Sequence, residues 1–173
     1  MKLNYNQSVD DIVAFNIHHL NHSKTGKKAL MIQRLVGPIM FIVMFFVITM
    51  ISDIPAWYWG ISFAIAAVLW VIFYPKSVVK QVEKRVRKMI EEDDNKGLIG
   101  DRVVEISENG IDVTTDYSKV NHSWESVNKI EQDEKYIYIY QSSMSAVMIP
   151  KSIFDTDEDM ENLLKTVEAF AGK

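Results

Sequence analysis

Two stretches decide the fold: LVGPIMFIVMFFVITMI at Leu35–Ile51 and IPAWYWGISFAIAAVLWVIFY at Ile54–Tyr74. Neither contains a charged residue, and Ala29–Ile32 extend the first by one more apolar turn. A helix rises about 1.5 Å per residue and a bilayer core is about 30 Å thick, so about 20 apolar residues suffice to cross it. Each stretch is long enough. Only Ser52 and Asp53 separate them, and Pro55 suits the first turn of a helix, where the missing N–H costs nothing. The prediction is a tight antiparallel transmembrane hairpin. Two buried helices of a globular core are the other reading, but the rest of the 173 residues holds too little amphipathic helix to cover them.

Basic residues flanking short apolar segments resist translocation, whereas acidic ones matter little. Lys24, Lys27, Lys28 and Arg34 precede the first span, and Lys76, Lys80, Lys84, Arg85, Arg87 and Lys88 follow the second. The connecting loop has neither Lys nor Arg. Both termini are therefore expected in the cytoplasm of a multi-pass inner-membrane protein. Trp57, Tyr58 and Trp59 are expected at the outer headgroup level and Trp70 and Tyr74 near the inner one, because amphipathic rings favour the interface. No apolar run occurs before residue 30, so no cleavable signal peptide is expected.

The absence of cysteine excludes thiol catalysis, iron–sulfur clusters, thiolate zinc sites and disulfides. Net charge sorts by region: residues 1–34 carry +3, 76–90 carry +5 and 91–173 carry −11. Such an acidic C-terminal region is a poor partner for nucleic acid, and the basic segment belongs against the membrane surface. Within that segment Val79, Val82, Val86 and Met89 form one helical stripe continuing from the second span. Its expected role is an interfacial helix that anchors and orients, with self-pairing as the alternative.

After the polar break EEDDNKG (Glu91–Gly97) the apolar period changes from helical to two. Arg102–Ser107 and Ile111–Thr115 read as strands joined by Asn109-Gly110, a pair suited to positive φ. Val120, His122 and Trp124 alternate in a next strand, Val127–Glu131 and Tyr136–Tyr140 form a further pair, and Ala146–Ile149 a last strand. A final helix is capped by Asp155 with Glu158 three residues on, its face made by Met160, Leu163, Leu164, Val167 and Phe170. Leu3–Asn6 reads as an added strand, and Ser8 caps a helix whose stripe is Val9, Ile12, Val13, Ile17 and Leu20. The fold class is thus an α+β membrane protein: residues 1–30 an N-terminal strand and helix, 31–75 the hairpin, 76–99 a basic helix and linker, and 100–173 an antiparallel sheet closed by a helix.

Trp124-x-x-Val127-x-x-Ile130, the aromatic strand YIYIY at Tyr136–Tyr140 and Ile149-Pro150-Lys151-x-x-Phe154, set in this order after two spans and a basic helix, resemble the YcxB-like family of bacterial membrane proteins. The likeness covers residues 102–154 well and the whole chain in layout. It implies a pleckstrin-homology-like cytoplasmic module, a small curved sheet closed by a C-terminal helix. It brings no catalytic residues with it.

The residues themselves offer little chemistry. His18 and His22 share a helix face at the spacing of two zinc imidazoles, but His19 stands where a metalloprotease has its glutamate and no carboxylate follows as third ligand. No metal and no cofactor are expected. His122 beside Ser123 resembles a base and nucleophile only in sequence, since neighbours on a strand point to opposite faces. No glycine-rich phosphate loop or catalytic triad pattern occurs, and no catalytic residue is assigned. Trp124, Tyr136, Tyr138 and Tyr140 are the candidate partner surface, weighed against packing within the sheet. The expected function is a non-enzymatic adaptor, regulator or self-protection protein that contacts another membrane protein, a peptide or a second copy of itself. The alternative is a small oligomeric channel or transporter component.

Overall fold

The computed structural model describes residues 1–172, with Asp93, Asp94 and Lys96 described by their backbone alone. The chain divides into two compact units, Asn16–Arg87 and a second formed by Met1–Phe15 with Lys88–Lys173. The α+β fold class is borne out: two long apolar helices, then antiparallel sheets, then a C-terminal helix.

In the first unit, α2 (Lys24–Ile51) and α3 (Ala56–Glu91) form the hairpin. Ser23 caps α2 by accepting a hydrogen bond from the Gly26 N–H at 3.0 Å, so the helix starts seven residues before the boundary expected after residue 30. The end of α2 is closed by Ser52, whose N–H donates to the Ile48 carbonyl at 3.0 Å. Both helices are long and apolar enough to cross a bilayer. Their large apolar side chains stay on the outside, from Met31 and Ile32 through Phe46 and Val47 to Ile72 and Phe73. The helices meet where Gly37 lies under Trp70: a Cβ on Gly37 would strike the indole ring. Trp70 also stacks on Tyr74, with ring centres 5.1 Å apart. The boundary expected after residue 75 falls inside α3, which runs through Pro75 without a break. Along its basic end Val86 and Ile90 are buried while Met89 is exposed. The buried side of this end therefore runs from Val86 to Ile90, one four-residue step, and not from Val86 to Met89.

In the second unit, α1 (Val9–His22, of which Val9–Phe15 belong here) follows β1 (Lys2–Gln7). Ser8 and Asp11 cap it reciprocally: the Asp11 N–H donates to Ser8 Oγ and the Ser8 N–H to Asp11 Oδ2. The polar break is a 3-10 turn, Asp93–Leu98; the side chains of Asp93, Asp94 and Lys96, and all of Lys173, lie outside the described residues. There follow β2 (Gly100–Ser107), β3 (Gly110–Thr115), β4 (Lys119–His122), β5 (Lys129–Gln132), β6 (Tyr136–Tyr140), β7 (Ala146–Pro150) and α4 (Asp157–Ala171). One sheet has the order β1-β2-β3-β4 and the other β5-β6-β7, all neighbours antiparallel. β1 pairs with β2 along its whole length, Lys2 opposite Glu105 and Gln7 opposite Gly100. The N-terminal strand thus completes the first sheet.

The core lies between the two sheets and α4. Val104, Ile106, Ile111 and Val113 enter from one sheet, Ile137, Ile139, Val147 and Ile149 from the other, and Leu163 and Val167 from α4. Cross-strand register places Ile106 opposite Ile111 and Ile137 opposite Ile149, so like faces meet. The α4 cap is Thr156, not Asp155: its hydroxyl accepts from the Asp159 N–H and donates to Asp159 Oδ2, a capping box one residue further on. Trp124 lies outside the strand, in the 3-10 turn Trp124–Ser126, where its indole N–H donates to the Ser107 carbonyl at 2.9 Å and its ring packs on Phe170 at 5.3 Å.

The β2–β3 turn also differs from expectation. Its central residues are Glu108 and Asn109, neither at positive φ, and Gly110 already pairs with Ser107 at φ +133°. A Cβ on Gly110 would press into the His122 carbonyl. Gly110→Ala is therefore expected to destabilise the sheet unit by at least about 1–3 kcal/mol, the cost of one such strained position. A lowered denaturant midpoint for the full chain in detergent, followed by circular dichroism, is the predicted result.

Candidate functional site

Strand β6 is buried on both faces. Ile137 and Ile139 turn into the main core, and Tyr136, Tyr138 and Tyr140 into a second cluster with Met148, covered by Ala14 and Phe15 of α1. Phe15 sits 6.1 Å from the rings of both Tyr138 and Tyr140. The tyrosine row, weighed as a partner surface against packing within the sheet, is thus inside the unit, because Ala14 and Phe15 of α1 lie across it. Period-two alternation on β6 reported two different faces but could not report that both are covered.

The hydroxyls of the row meet acids. Tyr136 donates to Asp11 Oδ1, and Tyr138 to Asp133 Oδ2 at 2.7 Å. Asp133 Oδ1 in turn accepts the N–H groups of Lys135 and Tyr136, each at 2.8 Å, so one carboxylate closes the β5–β6 turn and holds a tyrosine. Across the sheets the Tyr5 hydroxyl donates to the Met148 carbonyl, tying β1 to β7. The Tyr140 hydroxyl is buried with no protein partner among the described residues. Lys129, paired with Glu131 at 2.8 Å, stands 4.3 Å from the centre of the Tyr140 ring, a cation over an aromatic face.

Burial pushes Tyr5 and Tyr140 up to about 12, against an ordinary value of 10, with Arg102 opposing the shift at Tyr5 and Glu131 and Asp133 adding to it at Tyr140. Burial, then the hydrogen bonds to Asp11 and Asp133, push Tyr136 and Tyr138 higher still. An unfolded chain releases these protons from about pH 10 upward while the fold retains them. Stability contributed by the row is full below pH 10 and is lost as pH rises toward 12. Tyr136 and Tyr138 form a structural clasp with carboxylate-bound, neutral hydroxyls, and no tyrosine of the row is poised as a base at neutral pH.

The interface residues expected on the hairpin are all on α3. Trp57 is exposed; Trp59 is half-buried, directing its indole N–H at Ser52 Oγ (3.4 Å) and stacking on Phe63. Trp70 lies against Gly37 with part of its ring exposed and stacks on Tyr74, which is half-buried and whose hydroxyl donates to Gln33 Oε1 at 2.8 Å. Lys76, Lys80, Lys84, Arg85, Arg87 and Lys88 are exposed along the basic end of α3, and Arg87 pairs with Glu83 at 3.0 Å. His18 and His22 stack at 4.0 Å, with His22 Nδ1 3.0 Å from the His18 carbonyl. No group of three or more His, Asp or Glu among the described residues is arranged to hold a metal. Sequence reading missed Asp11 and Asp133, whose places at a helix start and a strand turn have sufficient local explanations.

The two hydroxyls predict opposite outcomes. Tyr138→Phe strips Asp133 of a buried donor and is expected to cost about 1–3 kcal/mol, while Tyr140→Phe removes an unsatisfied buried hydroxyl and is expected to be neutral or stabilising. Thermal unfolding of the two variants side by side checks the contrast.

No curated protein and no solved structure matches the chain. The resemblance drawn from the aromatic strand and its flanks is borne out by one comparison: residues 106–167, from the end of β2 into α4, match the model of the family described as YcxB-like protein, so the segment that holds β3 to β7 is YcxB-like.

Proposed function

We propose that the chain is a multi-pass inner-membrane protein with both termini in the cytoplasm, whose helical hairpin holds a pleckstrin-homology-like module at the membrane surface. The module acts by contact with another membrane protein or a peptide, as an adaptor, a regulator or a self-protection protein. The observation that carries this reading is the contrast between the units. The sheet unit closes its own core, whereas the hairpin leaves its apolar side chains outside. Placement of the termini rests on the basic residues flanking the hairpin and their absence from the loop. The module reading is supported by seven antiparallel strands in a four- and a three-stranded sheet, followed by a helix packed through Trp124 and Phe170. With the tyrosine row covered by α1, the partner surface is assigned to the solvent-facing parts of the module and not to Tyr136, Tyr138 or Tyr140. No step of this function is catalytic, and none uses a cofactor.

Because the chain has no cysteine, single substitutions report sidedness directly. Ser52→Cys is expected to react with an impermeant maleimide from outside intact cells, and Ser142→Cys only after permeabilisation; the reverse pattern contradicts the orientation. Affinity capture of the full chain from gently solubilised native membranes is expected to retain one discrete second protein. That protein is expected to be lost when Lys84, Arg85, Arg87 and Lys88 are all changed to Glu. A pure homo-oligomer that conducts ions in liposomes would support the channel reading instead.

A further inference from the structure

Charge on the hairpin is gathered at the end opposite the turn. Residues 24–34 of α2 and 76–88 of α3 hold ten basic side chains and one acidic one, Glu83. Glu83 is taken by Arg87 at 3.0 Å. Lys24, Lys27, Lys28, Lys76 and Lys80 are exposed, and no ion pair holds any of them among the described residues.

The antiparallel register brings the two groups of lysines together. The Tyr74 hydroxyl donates to Gln33 Oε1 at 2.8 Å, and Arg34 Nε donates to the Val71 carbonyl at 3.1 Å. Counting away from the turn at equal rise along both helices puts Lys27 and Lys28 level with the turn of α3 that ends at Lys80, with Lys76 within one further turn. Four like charges from two helices at one level repel one another in the absence of an outside anion. The nature of that anion follows from what lies beside it. The run of exposed apolar side chains reaches Met31 and Ile32 on α2 and Ile72 and Phe73 on α3, about one turn from Lys27, Lys28 and Lys76 and about two turns from Lys80. A ligand for this cluster must therefore carry negative charge where it meets hydrocarbon. The net −11 of residues 91–173 opposes the alternative, a nucleic acid.

We propose that Lys27 and Lys28 of α2 with Lys76 and Lys80 of α3 form a binding site for the phosphodiester headgroup of an anionic phospholipid. The site rests on the reading that the hairpin lies in a bilayer, and it goes beyond general surface attraction by requiring cations from both helices.

The test is native mass spectrometry of the full chain in neutral detergent, titrated with phosphatidylglycerol and phosphatidylcholine of identical acyl chains. Each cation at headgroup level strengthens binding of anionic lipid by roughly five-fold, so phosphatidylglycerol is expected to be retained at least about ten-fold better. Changing Lys27, Lys28, Lys76 and Lys80 to Gln should bring the two lipids close to parity. The same change at Lys119, Lys135, Lys151 and Lys165 of the sheet unit should leave the preference intact. Equal retention of both lipids by the unmodified chain, or equal loss in both variants, overturns the site. Displacement of the lipid by inorganic phosphate at equal concentration would overturn the lipid assignment in favour of a free anion. Reconstitution into phosphatidylcholine nanodiscs separates the two levels of the claim: failure to insert breaks the membrane reading, whereas insertion without headgroup preference in the titration breaks only the site.

Discussion

The structure depends on apolar side chains that it does not bury. Burying a large aliphatic or aromatic side chain is worth about 1.5–3 kcal/mol, and α2 and α3 leave such groups exposed along both helices. Summed over the hairpin, the cost of leaving them in water is on the order of tens of kcal/mol, which exceeds the 5–15 kcal/mol net stability typical of a folded protein. The bilayer proposed above would supply the apolar environment that removes this cost. The backbone of the hairpin is ready for one, since helices satisfy their own N–H and carbonyl groups and the Ser52 N–H closes the last turn of α2.

The sheet unit solves the opposite problem. Its main core draws on residues of Met1–Phe15 and Lys88–Lys173, and β1 together with the first half of α1 completes what the sheets enclose. β1 extends the first sheet and brings Tyr5 to Met148, while α1 covers the outer face of β6. Tyrosine suits that face better than leucine would, because its ring fills space while its hydroxyl satisfies Asp11 or Asp133. Tyr140 is the exception: its ring is buried but its hydroxyl has no protein partner among the described residues.

Much of this was legible in the sequence. The two long apolar helices were plain from their uninterrupted apolar runs, and the strands were plain from period two. Finer points were lost to local competition. Asp155 with Glu158 and Thr156 with Asp159 offer the same spacing, and the helix starts on the second pair, where the Thr156 hydroxyl accepts from the Asp159 N–H and donates to its carboxylate. Asn109 sits in the turn without needing positive φ, since Gly110 takes that burden. Which weight to give the two readings of the tyrosine row was lost for a different reason. An alternating strand shows which residues share a face, but what covers the face depends on a contact between residues more than 120 positions apart, such as Asp11 with Tyr136. No local pattern encodes that pairing.

The most direct test of the central claim, that lipid supplies the missing environment of α2 and α3, is alkaline carbonate extraction of native membranes. The hairpin predicts that the full chain stays with the sedimented bilayer, as integral proteins do even when the sheet unit loosens. Release into the supernatant together with peripheral proteins would contradict it.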